Sequence, residues 1–299
     1  MTSSTVLDRR SPPRGVPASP PSRAPRPNVL PTLALLAGAV YCLLPVVWVV
    51  MASTKAGSSL FTSFTFAPGG DLATNFTDLA AYRDGIFWQW LGNTLLYAGG
   101  GAILSAALSG ISGYTLAKYR FPGRNALFNV LLGGVLVPTV VLAVPQYLLL
   151  AKVGLTDTYW SVLLPSIVSP YGIYLARIYA AAAVPDSVIE AARTEGASEL
   201  RIFRVLAVPM MAPGLLTVFL FQFVSIWNNF LLPFVMLADD EKFPVTVGLY
   251  TVLNQGSTTP ALYSLVILGS LLSIVPLVIL FLSLQRYWRV DLTSGAVKA

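Results

Sequence analysis

Apolar positions in this chain do not alternate with polar ones; they come in blocks. Six stretches, residues 29–52, 88–116, 126–150, 159–182, 208–237 and 262–286, are almost unbroken runs of apolar residues. A helix needs about 20 apolar residues to cross a bilayer, whereas a barrel strand alternates over about 10. The blocks therefore predict six transmembrane helices, each satisfying its own backbone where water is absent. The fold class that follows is an all-α membrane protein. Pro and Gly fall inside several blocks, as spanning helices tolerate.

The segment before the first block is different material. Residues 1–28, including "RRSPPRGVPASPPSRAPRP", are too polar and proline-rich to bury a core and read as a disordered tail. The tail is too long and irregular for a signal peptide's n-region. The block after it is longer than a signal h-region, so it reads as a retained first helix. The expected order is tail 1–28, first helix and external loop 29–87, core 88–286, and tail 287–299.

Basic residues orient the helices. One set of loops holds Arg9, Arg10, Arg14, Arg23, Arg26, Lys118, Arg120, Arg124, Arg177, Arg193, Arg201, Arg204, Arg286, Arg289 and Lys298. The alternate loops hold the remaining four of the 19 basic residues, Lys55, Arg83, Lys152 and Lys242. The excess of Lys and Arg on the cytoplasmic side predicts that both termini are cytoplasmic. The loops 53–87, 151–158 and 238–261 then face outward, and an elbow at 187–206 faces inward. The net charge of +6 is absorbed by this rule and implies no nucleic acid partner.

Composition agrees: 55% of residues are hydrophobic and 11% charged, against roughly 25% charged in soluble domains. The single cysteine, Cys42, excludes an intrachain disulfide, and there is no histidine. No cluster suggests a metal site, a cofactor or a catalytic centre. None of the six blocks contains Asp or Glu, whereas ion-coupled carriers usually keep ionisable groups at membrane depth. Arg177 sits near the inner end of the fourth block, within reach of the interface.

Polar residues in the blocks follow helical spacing. Gln222, Ser225 and Asn229, with Asn228 beside them, share one face of the fifth block. They line a path for a hydroxyl-rich solute, or they bond helices together. Thr94, Gly101, Ser105 and Ser112 form a stripe that favours close helix packing. Trp88, Trp90, Tyr159 and Trp160 lie at block ends and predict an interfacial aromatic belt.

The elbow reads "VPDSVIEAARTEGASELRIFRVLAVPMMAPG". Ser187 and Glu190 have capping-box spacing, with Asp186 as the competing N-cap. Gly196 suits the left-handed residue that ends a helix, and Ser198 can cap a second helix. Ala191 and Ala192 are small enough to let a partner surface come close, with Glu190, Arg193 and Glu195 supplying charge around them. Three readings compete: a docking element for a cytoplasmic partner, a plain interfacial loop, and a DNA-binding helix-turn-helix. Mixed charge and membrane tethering at both ends argue against the last.

Glu190, Ala191, Ala192, Gly196, Leu206, Val208 and Pro209 resemble the EAA loop of ABC importer permeases, in register at Gly196 and Pro209. "SGYTLAKYRFPGRNALF" (112–128) and "WNNFLLPFVML" (227–237) are similar to segments of the sugar-type members. "QRYWRVDLTSGAVKA" resembles the tail of the maltose-type subunit, with Asp291 and Ala299 where glycines are common. The resemblance covers 88–299 and implies a type I ABC importer permease fold with the EAA loop at 187–209. It further implies a bacterial plasma membrane location, a second permease subunit in a heterodimer, two cytoplasmic ABC ATPase subunits, and an extracytoplasmic sugar-binding protein. The EAA helix would dock in an ATPase cleft, and the tail residues Gly295, Ala296, Val297 and Lys298 would reach toward the ATPases. The implied function is binding-protein-dependent import of a di- or oligosaccharide, with ATP hydrolysed on a partner chain, so this chain is not itself an enzyme. This chain has no G-x-x-x-x-G-K-[ST] of its own. The alternatives are a permease for a non-sugar solute such as a polyol phosphate, an ion-coupled secondary transporter, and a membrane-embedded assembly protein.

Overall fold

A computed structural model describes residues 29–60, 62, 64–256, 259 and 262–294, with side chains described up to 285 except at 58. The expectations for the tail 1–28 and for Gly295, Ala296, Val297 and Lys298 lie outside the described residues. Every regular element among the described residues is helical.

Helix α1 spans Val29–Ser53. The chain divides at Pro45 into two units. In the first, every described residue is exposed. Such an apolar, exposed helix is what lipid rather than water accommodates. The second unit begins with the last residues of α1, followed by a connection carrying α2 (Leu72–Ala81). Helix α3 (Ile86–Leu95) continues through a π turn, Leu96–Gly100, into α4 (Gly101–Lys118).

The predicted third, fourth and fifth spans differ from single straight helices. The third is α5 (Arg124–Val135) and α6 (Thr139–Lys152), bent by 106° at the break. Pro138 causes this: it lacks a backbone donor and drives the residue before it out of the α region. The fourth is α7 (Tyr159–Ile167) and α8 (Pro170–Ala183), interrupted at Val168 and Ser169 for the same reason. The fifth starts earlier and ends earlier than expected. After the elbow helix α9 (Asp186–Thr194), α10 (Glu199–Arg201) runs through a π segment, Ile202–Ala207, into α11 (Val208–Trp227). The wider π turn lets Pro209 sit inside this continuous 29-residue run without a clash on the carbonyl a turn before. Asn228 and Asn229 then break the helix before α12 (Leu231–Met236). Helices α13 (Val245–Gly256) and α14 (Leu262–Ser294) complete the chain. Among the described residues, five helices are long and apolar enough to span a membrane, or up to six if the bent α5–α6 pair is one span.

Helices α4, α8 and α11 pack closely where glycines leave room. A Cβ on Gly113 would stand 2.6 Å from the Ala176 Cβ, and one on Gly110 would stand 2.9 Å from a Leu215 methyl. The expected packing role of the α3–α4 stripe is met at Gly101, where a Cβ would lie 2.9 Å from Ile226, and at the buried Thr94 and Ser105. Trp90 does not join an aromatic belt. It is buried, and its Nε1 donates to the Asp240 carbonyl at 2.8 Å, whereas Trp88 and Trp160 are exposed.

Candidate functional site: a polar cavity and a charged elbow

The three helix breaks converge. Residues around 135–139, 166–171 and 225–232 line one cavity of about 640 Å³. Irregular backbone at membrane depth is tolerated where it lines such a space, because its freed polar groups find partners there. Gln222, Ser225, Asn228 and Asn229 all line it, joined by Thr139, Gln146, Ser166, Ser169 and Tyr171. The lining carries no charged side chain. Neutral donors and acceptors beside Tyr171, Phe221 and Phe230 suit a solute rich in hydroxyls with apolar faces.

The four predicted residues are not equivalent. Gln222 donates through Nε2 to the Ser169 hydroxyl, which also accepts the Gly172 N–H at 3.0 Å and so caps α8. Gln222 thus binds α11 to the α7–α8 break. Asn229 accepts the Leu232 N–H at 3.3 Å, and its carbonyl accepts the Thr246 hydroxyl at 3.0 Å. Asn228 folds back to the Val224 carbonyl at 2.8 Å. Ser225 is exposed to the cavity and has no hydrogen bond among the described residues. One face of α11 and its C-terminal break therefore both lines the cavity and bonds the chain together.

At the opposite structural level, the elbow is a tethered helix. Pro185, not Ser187 or Asp186, occupies the N-cap of α9, and it makes no side-chain cap bond. The expected capping box is absent because α9 already starts at Asp186, which puts Ser187 inside the first turn; Asp186, the competing cap, binds Lys118 at 2.8 Å. Ser198 does hold the N-cap position of α10, again without a side-chain bond. The C-terminus of α9 closes as sequence suggested. Gly196 has φ +83°, its N–H donates to Arg193, and the Ala197 N–H donates to Ala192 at 3.0 Å, the paired bonds of a Schellman motif.

The two alanines part company. Ala192 is buried with Ile189 in a cluster with Ala176, Ala180, Ile202 and Met211, so its small size serves this chain's own core. Ala191, Glu190, Glu195 and Gly196 are exposed, Leu206 is half-buried on the same cluster, and Pro209 is exposed. Arg193 is likewise engaged at home: its Nε donates to Glu199 at 2.7 Å, and the Tyr119 hydroxyl donates to the same carboxylate. Hydrogen bonds from Arg193 and Tyr119 hold Glu199 below its ordinary value, and Lys118 does the same for Asp186. Burial, then the bond to Glu199, pushes Tyr119 up to about 12. Glu190 and Glu195 have no ion pair among the described residues.

The family of binding-protein-dependent transport system inner membrane components matches residues 108–289. The chain belongs to that family. This permease is 34% identical, over 85% of its length and 90% of the relative's, to the arabinooligosaccharides transport system permease protein AraQ of Halalkalibacterium halodurans. It is 32% identical to the protein of the same description from Bacillus subtilis, over 89% and 94% of the two chains. Its fold matches, with TM-score 0.75 and 23% identity over 87% and 95% of the chains, a bacterial ABC transporter involved in the import of the acidic polysaccharide alginate. The permease is therefore a multi-pass membrane subunit of an ABC importer, a transporter component and not an enzyme.

Several residues of the permease's site escaped sequence reading. Ser169 precedes Pro170, and Thr139 follows Pro138; a polar residue beside a proline in an apolar block was the available signal for a lined break. Tyr119 and Glu199 carried no such signal, because they lie on elements distant in sequence. Arg177 does not reach to the interface alone: its guanidinium sits 3.6 Å above the Phe128 ring, a cation–π pairing.

Proposed function

We propose that this permease imports a di- or oligosaccharide, delivered by an extracytoplasmic binding protein and driven by two cytoplasmic ATPase subunits. A second permease subunit completes the path across the bacterial plasma membrane, and both termini face the cytoplasm. The observation that carries the reading is the uncharged polar cavity at the meeting of three helix breaks. The relatives' descriptions point to oligosaccharides, and the cavity's neutral donors and acceptors match hydroxyls. The lining offers no cation for a phosphate and no carboxylate for a coupling ion, which disfavours a polyol phosphate and an ion-coupled mechanism.

In this reading, the exposed face of α9, with Glu190, Ala191 and Gly196, docks on an ATPase. Leu206 and Pro209 lie on the π segment and helix that carry the movement to α11. The ties from Lys118 and Tyr119 carry it in parallel to α4. The transport step is a two-state change whose balance the ATPases and the binding protein bias. Proteoliposomes containing the permease with its partners decide the matter. The expected result is ATP-dependent accumulation of an arabino-oligosaccharide that requires the binding protein. Uptake driven by a proton or sodium gradient without ATP, or uptake of sn-glycerol 3-phosphate in preference to the sugar, would sink the proposal.

A further inference from the structure

A second cavity, of about 340 Å³, opens at the α4–α5 connection and shares no residue with the first. It is lined by Arg120, Phe121, Gly123, Arg124, Asn125 and Ala126. Its shape is held by the chain itself. Gly123 has φ +83°, the Arg124 N–H donates to the Phe121 carbonyl at 3.3 Å, and the Arg124 guanidinium donates to the Tyr119 carbonyl at 3.2 Å. Neither arginine has an ion pair among the described residues. The carboxylate that feels Arg120 belongs to Asp186, and it is bound to Lys118 at 2.8 Å. Both arginines therefore line the pocket without an ion pair among the described residues.

The surroundings indicate what pairs with them. Phe121 is exposed at the pocket rim, and the exposed apolar face of α5 starts one turn on, with Leu127 at 48% and Val130 at 72%. Turned to lipid, that face of the bent α5–α6 pair would set the arginines at the boundary between hydrocarbon and water. An acidic protein surface would match the charge but leave these apolar residues uncovered. A phospholipid matches both: phosphate oxygens take the guanidinium forks, and acyl chains cover Leu127 and Val130.

We propose that Arg120 and Arg124 bind the phosphodiester headgroup of an anionic phospholipid of the cytoplasmic leaflet, with Phe121 seated at the interface. Only the choice of leaflet rests on the orientation proposed above. The test is native mass spectrometry of the purified permease with its partners, in detergent supplemented with phosphatidylglycerol or phosphatidylcholine. A near-surface cation contributes about 1 kcal/mol of attraction to anionic lipid, so Arg120→Gln with Arg124→Gln is expected to weaken phosphatidylglycerol retention about 30-fold. Phosphatidylcholine retention is expected to stay unchanged. The Lys pair Arg120→Lys with Arg124→Lys, which keeps charge but loses the fork, is expected to fall between, and it controls for folding. Lys152→Gln, in the opposite set of loops, is expected to have no effect.

Equal retention of phosphatidylglycerol by the Gln pair and the unaltered protein overturns the proposal. So does complete displacement of the lipid by inorganic phosphate, which would make the occupant a free anion. Loss of ATPase co-purification with lipid retention intact would assign the arginines to a protein partner and also overturn it. The readout in detergent is blind to orientation. Labelling of Arg120→Cys, in a Cys42→Ala background, by an impermeant maleimide from outside the cell would overturn the leaflet alone.

Discussion

Gly196 and Gly248 are constrained by different physics, and substitution separates them. Nothing stands within 4 Å of a Cβ placed on Gly196, but its φ of +83° is left-handed. An L side chain there costs about 1–2 kcal/mol. Gly196→Ala is therefore expected to loosen only the end of α9, speeding hydrogen exchange across 187–197 while the thermal midpoint of the whole protein holds. Coupled transport should fall more than the loss of stability would explain, because the exposed face proposed to dock is displaced. Gly248 has no such backbone demand. A Cβ there would lie 2.2 Å from the ring of Trp90, which is pinned by its bond to Asp240. Overpacking of this kind costs about 1–3 kcal/mol, so Gly248→Ala is expected to lower the thermal midpoint of the whole protein. Gly133→Ala, in a helix with open space around it, is the matched control and should be neutral or stabilising by up to about 1 kcal/mol.

The elbow's charged ties set its pH response at the level of the element. Glu199 is depressed by Arg193 and then Tyr119, and Asp186 is depressed by Lys118. A depressed carboxylate stabilises the folded form fully above its unfolded value, and the contribution is lost as pH falls through the lowered folded value. Tyr119 is raised, so its contribution is present below its ordinary value of 10.0 and is lost only as pH rises through about 12. Protection of α9 from hydrogen exchange is thus expected to be flat across neutral pH and to decline below the ordinary range of carboxylates. Glu199→Gln should lower protection at neutral pH and flatten that acid limb. An unchanged acid limb in the variant would show that Glu199 does not anchor the helix. The same element marks how far sequence reached. The glycine stop at Gly196 and the second helix after Ser198 follow from local rules and were legible. The capping box failed because the helix starts earlier, with Pro185 at its N-cap, and the burial of Ala192 in a cluster with Ala176 and Met211 was not legible because it depends on folding. The span limits likewise held where composition alone decides them, as for α1, and slipped where Pro138, Pro170 and Asn228 broke the helix.

At the scale of the whole molecule, the cavity's position makes transport and stability separable. The fold is held elsewhere, by α4, α8 and α11 packed at their glycines and by Asn93, Gln89, Trp90 and Tyr97 donating to the carbonyls of 240–243. The cavity wall contributes mainly through Gln222, whose bond to Ser169 joins two helices. Interhelical bonds in membrane proteins average about 0.6 kcal/mol. Gln222→Leu is therefore expected to lower stability slightly and transport strongly. Ser225 faces the open volume without a partner. Ser225→Trp fills part of the 640 Å³ with a rigid ring and removes no bond that the fold uses. It is expected to abolish sugar uptake while leaving the thermal midpoint and co-purification of the ATPases as they were. Unimpaired uptake by Ser225→Trp would move the path away from this cavity. A collapse in stability would show instead that the space is a packed core, since only a site meant to stay open tolerates an indole without loss of fold.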